Sequence, residues 1–169
     1  AAKTLMWAKF WNSGQSCIAA ERLFVHEKIY DKFMRRFLEL VSRLTVGDPR
    51  KNQMGPMINE AQRTKVEQIV QNGLNEGLSL VYGGKRPQLN EPFNGGFHYM
   101  PTVMEGKDQN SSVFREEIFG PVLPTIKVSG SCLDQRPARD TIPASGCPGR
   151  QGKDRSMALR NTLKSRTFT

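Results

Sequence analysis

Short apolar runs alternate with longer amphipathic segments along most of this chain. The runs at residues 21–27, 78–84 and 121–128 are bounded by charges or by Gly and Pro, which is typical of buried strands. Between them, residues 27–44 and 59–77 repeat their apolar residues at the spacing of a helix. Strands separated by helices of about ten residues or more favour a layered α/β architecture in which some strands pair in parallel.

The two predicted helices each have one apolar face and recognisable ends. Asn59 is a suitable N-cap residue with Gln62 three residues later, a variant of the capping box, and Gly77 is a suitable stop. The residues predicted to face the core are Ile29, Phe33, Phe37, Leu40, Val41 and Leu44 in the first helix, and Val66, Ile69, Val70 and Leu74 in the second.

Two further segments complete the predicted domain. Residues 97–105 form an extended piece in which Pro101 suits a strand end or a sheet edge, because proline cannot donate to a ladder. Residues 111–128 begin with a short helical turn and reach the last strand through a break at Gly120 and Pro121.

The composition of the chain changes at residue 129. Residues 129–169 hold eight Lys/Arg against three Asp/Glu, one aromatic residue and no sustained period, whereas residues 1–128 hold 17 Lys/Arg against 13 Asp/Glu. Such a segment buries too little apolar surface to offset the entropy of ordering. Two interpretations stay open: a disordered basic tail, or a peptide read out of frame. The tail has no stacking aromatic beyond Phe168 and no clustered basic stripe, so nucleic acid is not an expected partner.

The cysteines and the N-terminus exclude several classes of protein. Cys17, Cys132 and Cys147 form no CxxC pair and no even-numbered framework, so neither a zinc site nor a disulfide scaffold is predicted. No run approaches the roughly 18 apolar residues of a membrane span. The N-terminus has no initiator Met and no signal-peptide pattern, and we expect it to be an interior part of a longer sequence. A reducing, cytoplasmic setting is predicted.

Cys17 follows Asn-Ser-Gly-Gln-Ser and precedes a run of small and apolar residues. A turn at Gly14 would let the backbone approach closely and would expose the sulfur, as a nucleophile requires. The alternative is a buried, inert thiol, since free cysteine is among the residues most often buried. Spacing alone leaves these two interpretations balanced.

Two motifs together resemble the aldehyde dehydrogenase superfamily. Residues 10–17, Phe-Trp-Asn-Ser-Gly-Gln-Ser-Cys, are similar to its Phe-x-Asn-x-Gly-Gln-x-Cys signature, and residues 117–121, Glu-Ile-Phe-Gly-Pro, to its Glu-x-Phe-Gly-Pro signature. The connecting "TVGDP", "GPMI" and "LVYGG" also look like the family. The resemblance covers residues 1–128. It implies a partial three-layer α/β catalytic domain of the aldehyde dehydrogenase type, followed by an irregular or disordered tail, residues 129–169.

The resemblance implies NAD(P)-dependent oxidation of an aldehyde to a carboxylic acid. Cys17 would be the nucleophile, forming a thiohemiacetal and, after hydride transfer to nicotinamide, a thioester that water cleaves. The backbone amide of Cys17 would be half of the oxyanion hole. Glu117 would hold the ribose of NAD or NADP through charge-assisted hydrogen bonds, and Phe119 would lie against the nicotinamide. From the local sequence alone, a surface acid and a core aromatic are the simpler interpretations of Glu117 and Phe119.

Five other polar residues receive no chemical role. Asn12 and Gln15 are expected to satisfy backbone groups around the turn, and Glu116 is interpreted as a surface acid. His26 and His98 show no partner pattern and are expected to be structural or exposed.

The resemblance also implies parts that this sequence lacks. In the family, the dinucleotide-binding domain, an oxyanion-hole asparagine and a glutamate base lie upstream of the nucleophile, and a strand that supports homo-oligomers lies downstream. This chain has no Gly-rich turn between a strand and a helix. The isolated chain is therefore expected to be inactive. The alternative is a noncatalytic, truncated protein that acts through subunit or partner interaction. The aldehyde, and the choice between NAD and NADP, are left open.

Overall fold

A computed structural model describes residues 1–129 of the chain, so the predictions made for the rest of the tail lie outside the described residues. This part contains three helices and four strands. In chain order they are α1 (Ala2–Phe10), β1 (Leu23–His26), α2 (Glu27–Val41), α3 (Glu60–Asn75), β2 (Ser79–Tyr82), β3 (Thr102–Gly106) and β4 (Val122–Val128), with tight helical turns at Trp11–Gly14 and Ser112–Phe114.

The four strands form one sheet in the order β1-β4-β3-β2. β4 lies in the interior of the sheet and pairs in parallel with β1 and with β3, while β2 runs antiparallel to β3. Pro101 directly precedes β3, so its predicted place at a strand end is confirmed. The parallel pairing expected from the alternation of helices and strands is also confirmed.

Helices cover both faces of the sheet. Successive strand residues face opposite sides, and the sheet therefore contributes to two separate cores. Val103 and Leu123 pack with α1 and α2 on one face, whereas Met104 and Val122 pack with α3 on the other. The result is a helix–sheet–helix arrangement, which confirms the predicted three-layer α/β class.

The buried faces of the helices differ from the predicted ones at two positions. Ile29 of α2 is 55% exposed, whereas Tyr30 and Met34 are buried in the core. Because Ile29 directly precedes Tyr30, its side chain lies about 100° away from that of Tyr30 around the helix axis. Leu74 of α3 is 37% exposed, because the last turn of α3 contacts the core through the neighbouring Gly73. The other predicted core positions of both helices are buried or half-buried.

Side chains cap the two long helices. Asn59 Oδ1 accepts a hydrogen bond from the Gln62 N–H at 2.9 Å, as the capping-box variant predicts. His26 Nδ1 accepts from the Lys28 N–H at 3.2 Å, a capping role that its sequence context did not indicate. His98 is buried, with its Nε2 3.3 Å from the Gly47 carbonyl oxygen. His26 therefore has a capping role, whereas the Nδ1 of His98 is buried and has no hydrogen-bond partner within residues 1–129.

Residues 1–129 contain neither a membrane-spanning helix nor a cluster of metal-binding side chains. None of the helices in this part combines the length and the apolar character that crossing a membrane requires. Nor does this part bring three or more His, Cys, Asp or Glu side chains together in an arrangement that could hold a metal ion.

Candidate active site

Three successive residues in left-handed conformation build the turn before Cys17. Asn12, Ser13 and Gly14 have φ angles of 49°, 55° and 72°. Glycine adopts this region readily and asparagine tolerates it, but serine is strained there. The Ser13 hydroxyl donates to the Gly55 carbonyl at 2.8 Å, which holds the strained residue in place.

Asn12 and Gln15 support this turn through their side chains. Asn12 Nδ2 donates to the Gln15 carbonyl at 3.1 Å, and Gln15 Nε2 donates to the Asn12 carbonyl at 3.2 Å. Gln15 Oε1 also accepts from the Ile58 N–H at 2.8 Å. These contacts satisfy backbone groups around the turn, as expected for both residues.

Cys17 is exposed, in a loop whose two ends are joined. The Ala20 N–H donates to the Ala8 carbonyl at 3.2 Å, so the loop leaves and returns beside the end of α1. Within residues 1–129 the Cys17 N–H has no hydrogen-bond acceptor. The exposed position of Cys17 rules out the alternative of a buried thiol, and its N–H is available to donate.

Gly14 brings the Cys17 loop into direct contact with the second motif. A Cβ on Gly14 would lie 2.2 Å from the Gly120 carbonyl oxygen and 2.7 Å from its carbonyl carbon, closer than real contacts allow. A Cβ on Gly120 would in turn lie 2.5 Å from Val66 Cγ2. The two motifs thus meet backbone to backbone, and α3 lies directly against the second of them.

Glu117 and Phe119 lie on the segment that leads into β4. The Glu117 side chain is exposed, and within residues 1–129 its carboxylate has no hydrogen-bond or ion-pair partner. Phe119 is half-buried and has a φ of 49°. An exposed carboxylate with open acceptor sites can accept hydrogen bonds from two hydroxyl groups of a ligand.

Side chains of α3 hold the backbone of this segment, which belongs to no helix or strand. Gln62 Nε2 donates to the carbonyl oxygens of Ile118 and Phe119 at 3.2 Å and 3.0 Å. Lys65 Nζ donates to the Glu117 carbonyl oxygen at 3.1 Å. These bonds leave the Glu117 carboxylate free to face a ligand.

Two residues that follow the Cys17 loop reach the same segment. Arg22 Nε donates to the Phe114 carbonyl, and Glu21 Oε2 accepts from the Ile118 N–H at 3.2 Å. The sequence interpretation missed both residues, because these contacts join positions 92 and 97 residues apart. Glu21 and Arg22 look like ordinary charged residues before a strand, and nothing nearby in the sequence indicates that they bind the backbone of a distant segment.

Glu21 is also paired with a buried lysine. Lys9, in the last turn of α1, is fully buried, and its Nζ lies 3.3 Å from Glu21 Oε1. Burial lowers the pKa of Lys9, while the charge of Glu21 and their hydrogen bond act in the opposite direction. A buried lysine with one carboxylate partner within residues 1–129 thus lies directly before the first motif.

The fold and this site define a class of protein: an α/β domain in which an exposed thiol loop abuts a segment bearing an open carboxylate. The sequence profile of the "Aldehyde dehydrogenase family" matches residues 1–132. The chain belongs to the aldehyde dehydrogenase family.

Relatives with known names support this assignment. The D-glyceraldehyde dehydrogenase (NADP(+)) of Thermoplasma acidophilum is 49% identical over 129 residues, which are 76% of this chain and 26% of the relative. The mitochondrial succinate-semialdehyde dehydrogenase of Arabidopsis thaliana is 42% identical over 144 residues, 84% of this chain and 26% of the relative. The chain therefore spans about a quarter of the length of these relatives.

Solved structures agree with the fold. The crystal structure of a Mycobacterium tuberculosis aldehyde dehydrogenase complexed with NAD+ superposes with a TM-score of 0.71 at 36% identity. The match covers 77% of this chain and 27% of that one. The helix–sheet–helix arrangement is therefore the family's arrangement over the part that this chain spans.

Proposed function

We propose that this chain is a catalytic-domain segment of an NAD(P)-dependent aldehyde dehydrogenase that oxidises an aldehyde to a carboxylic acid. The observation that carries the proposal is the contact of the exposed Cys17 loop with the Glu117–Phe119 segment at Gly14 and Gly120. A nucleophile and a cofactor-binding acid must lie close together for oxidation at the nucleophile, and this contact brings their two motifs together.

Cys17 would act as the nucleophile. Attack of its thiolate on the aldehyde carbon forms a C–S bond and places negative charge on the former carbonyl oxygen. The Cys17 N–H, which has no acceptor within residues 1–129, would donate to that oxygen. Loss of hydride from the adduct leaves a thioester on Cys17. Water then cleaves the C–S bond, releases the carboxylic acid and returns the thiol.

Glu117 and Phe119 would hold the cofactor. The open Glu117 carboxylate would accept hydrogen bonds from ribose hydroxyls, and Phe119 would offer an apolar surface to the nicotinamide. When bound, NAD or NADP supplies the hydride acceptor for the oxidation. The names of the relatives include NADP- and NAD-linked enzymes, so both cofactors belong in the test.

The 169-residue chain by itself is proposed not to turn over aldehyde. The resemblance leaves the dinucleotide-binding domain, the second oxyanion donor and the base outside this sequence, and each such group commonly contributes about a hundredfold or more to rate. Homo-oligomer formation and a cytoplasmic location stay predictions. If this chain acts alone, the noncatalytic interaction role is the alternative.

A chimera tests the proposed chemistry directly. The part of this chain that matches the Thermoplasma acidophilum relative would replace the corresponding part of that relative, and formation of reduced NADP would be followed with D-glyceraldehyde, the substrate in that relative's name. We expect an active chimera, loss of activity to background for Cys17→Ala, and wild-type activity for the neighbouring control Ser16→Ala. An active Cys17→Ala chimera would refute the assignment of the nucleophile.

The same chimera tests the cofactor contact. Glu117→Gln keeps the size of the side chain but removes the charge, so we expect the KM for NADP to rise by about tenfold, in line with the loss of one charge-assisted interaction. Glu116→Gln is the matched control, because Glu116 is also an exposed acid and lies next to it in the chain. An equal effect of the two substitutions on KM would exclude a specific role for Glu117.

A further inference from the structure

We propose that Lys9 and Glu21 form a positioning unit that holds Ile118, and with it Glu117 and Phe119, in register with the loop that carries Cys17. This inference rests on the proposed function of those residues. It assigns to Lys9 and Glu21 no contact with substrate or cofactor.

The two carboxylate oxygens of Glu21 serve different partners. Oε1 accepts from Lys9 Nζ at 3.3 Å, and Oε2 accepts from the Ile118 N–H at 3.2 Å. Ile118 itself is fully buried and lies between the two proposed cofactor contacts. Since Gln62 takes the Ile118 carbonyl, side chains hold both backbone polar groups of this residue.

Lys9 determines which way the Glu21 carboxylate faces. The Glu21 side chain is 23% exposed, so it has a route to water, whereas the Lys9 side chain is 0% exposed. A buried ammonium with one counter-ion draws that carboxylate inward, toward the Ile118 amide. Without the positive charge, hydration would compete with the Ile118 hydrogen bond.

The unit also joins the two ends of the Cys17 loop. Lys9 lies in the last turn of α1, before the loop, and Glu21 follows the loop directly. The ion pair therefore closes the loop beside the Ala20-to-Ala8 hydrogen bond and ties it to Ile118 at the same point. One carboxylate thus links the nucleophile's loop to the cofactor segment.

A buried ion pair is a poor device for stability alone. Apolar residues of similar volume often replace such pairs without loss, because desolvation of the charges offsets their attraction. What apolar residues cannot supply is an acceptor for the Ile118 N–H at a fixed place. A role in fixing the position of Ile118 relative to the Cys17 loop therefore accounts for the Lys9–Glu21 pair better than a role in stability.

Amide hydrogen exchange, measured residue by residue on the full 169-residue chain, tests this role. We expect Lys9→Met to raise the exchange rate of the Ile118 amide by at least about tenfold while amides in the centre of β4 keep theirs. No hydrogen bond joins Lys9 to Ile118 directly, and Glu21 bonds to both, so the expected route of the effect is through Glu21. Glu116→Gln is the control and should leave the Ile118 rate unchanged.

A double variant separates positioning from simple loss of packing. In Lys9→Met/Glu21→Gln the amide oxygen of residue 21 can still accept from Ile118 and no charge lacks a partner, so protection should recover to within about threefold of wild type. If Lys9→Met does not fold, Glu21→Gln alone provides the test. The new side chain has one oxygen for two donors, and the charged Lys9 should displace the Ile118 N–H from it. The exchange rate of the Ile118 amide should then rise.

Three results would overturn the inference. They are an unchanged exchange rate of the Ile118 amide in the single variants, an equal rise in the exchange rates of the β4 amides, or no recovery of Ile118 protection in the double variant. The proposed function is tested by a different experiment, the activity of the chimera. Activity without Cys17 would refute the nucleophile and leave the exchange result as it stands.

Discussion

Gly14 is the point at which the two motifs touch, and replacing it with alanine should destabilise the fold more than a substitution at a glycine with open space around it. The new methyl group would lie 2.2 Å from the Gly120 carbonyl oxygen and 3.1 Å from the Lys9 carbonyl oxygen. Both neighbours are backbone atoms, so neither can rotate away. The backbone at Gly14 also has a φ of +72°, which L-residues adopt at a cost.

The expected loss follows from these two effects. A non-glycine residue in left-handed conformation costs about 1–2 kcal/mol. Overpacking that forces backbone to shift costs about 1–3 kcal/mol more. The free energy of unfolding should therefore fall by about 2–5 kcal/mol, a large part of the roughly 5–15 kcal/mol of a typical domain.

Two other glycines of the chain provide matched controls. Gly77 has a φ of +90°, and a Cβ added to it would have no atom within 4 Å, so Gly77→Ala should show the conformational cost alone, about 1–2 kcal/mol. Gly95 also has open space, without a positive φ, so Gly95→Ala should be neutral or stabilising by up to about 1 kcal/mol. The difference between Gly14→Ala and Gly77→Ala isolates the contacts with the backbone of Gly120 and Lys9.

Urea unfolding of the 169-residue chain measures this difference. With a slope of about 2 kcal/mol per molar urea, 2 kcal/mol between the variants shifts the midpoint by about 1 M. Trp7 and Trp11, in α1 and directly after it, provide fluorescence close to the site. If Gly14→Ala were no less stable than Gly77→Ala, the backbone contact between the motifs would not be the constraint that we infer.

Two further predictions concern stability. Asn59→Ala removes the side-chain acceptor at the start of α3 and should lower the free energy of unfolding by about 1 kcal/mol. Asn72→Ala, at an exposed position inside the same helix, is the control and should be neutral or slightly stabilising. Equal effects of the two substitutions in urea unfolding would contradict the capping role of Asn59. Burial raises the pKa of Tyr30 and of Tyr99 to about 12. The unfolded chain releases these phenol protons from about pH 10 and the folded chain retains them, so stability should fall as pH rises between about 10 and 12. Tyr30→Phe with Tyr99→Phe should flatten that fall, and an unchanged slope would argue against the phenols as its source.

Local patterns in the sequence predicted the class of the fold and most of its elements. Apolar periodicity located α2 and α3, and the Asn59 cap fixed the start of α3, because both depend on residues a few positions apart. The two motifs selected Cys17, Glu117 and Phe119 as candidates, and their roles remain predictions. α1 was not predicted, since the apolar residues of Ala2–Phe10 do not fall on one face.

Tertiary structure decided what lies between these elements. Local patterns predicted four extended segments and the helices α2 and α3, but they could not place β4, the last strand, between β1 and β3. It also gave no sign that Gly14 contacts Gly120 or that Glu21 accepts from Ile118. The physical reason is range: helix faces and caps follow from neighbours along the chain. Sheet order and the joining of the two motifs follow from packing between segments about a hundred residues apart.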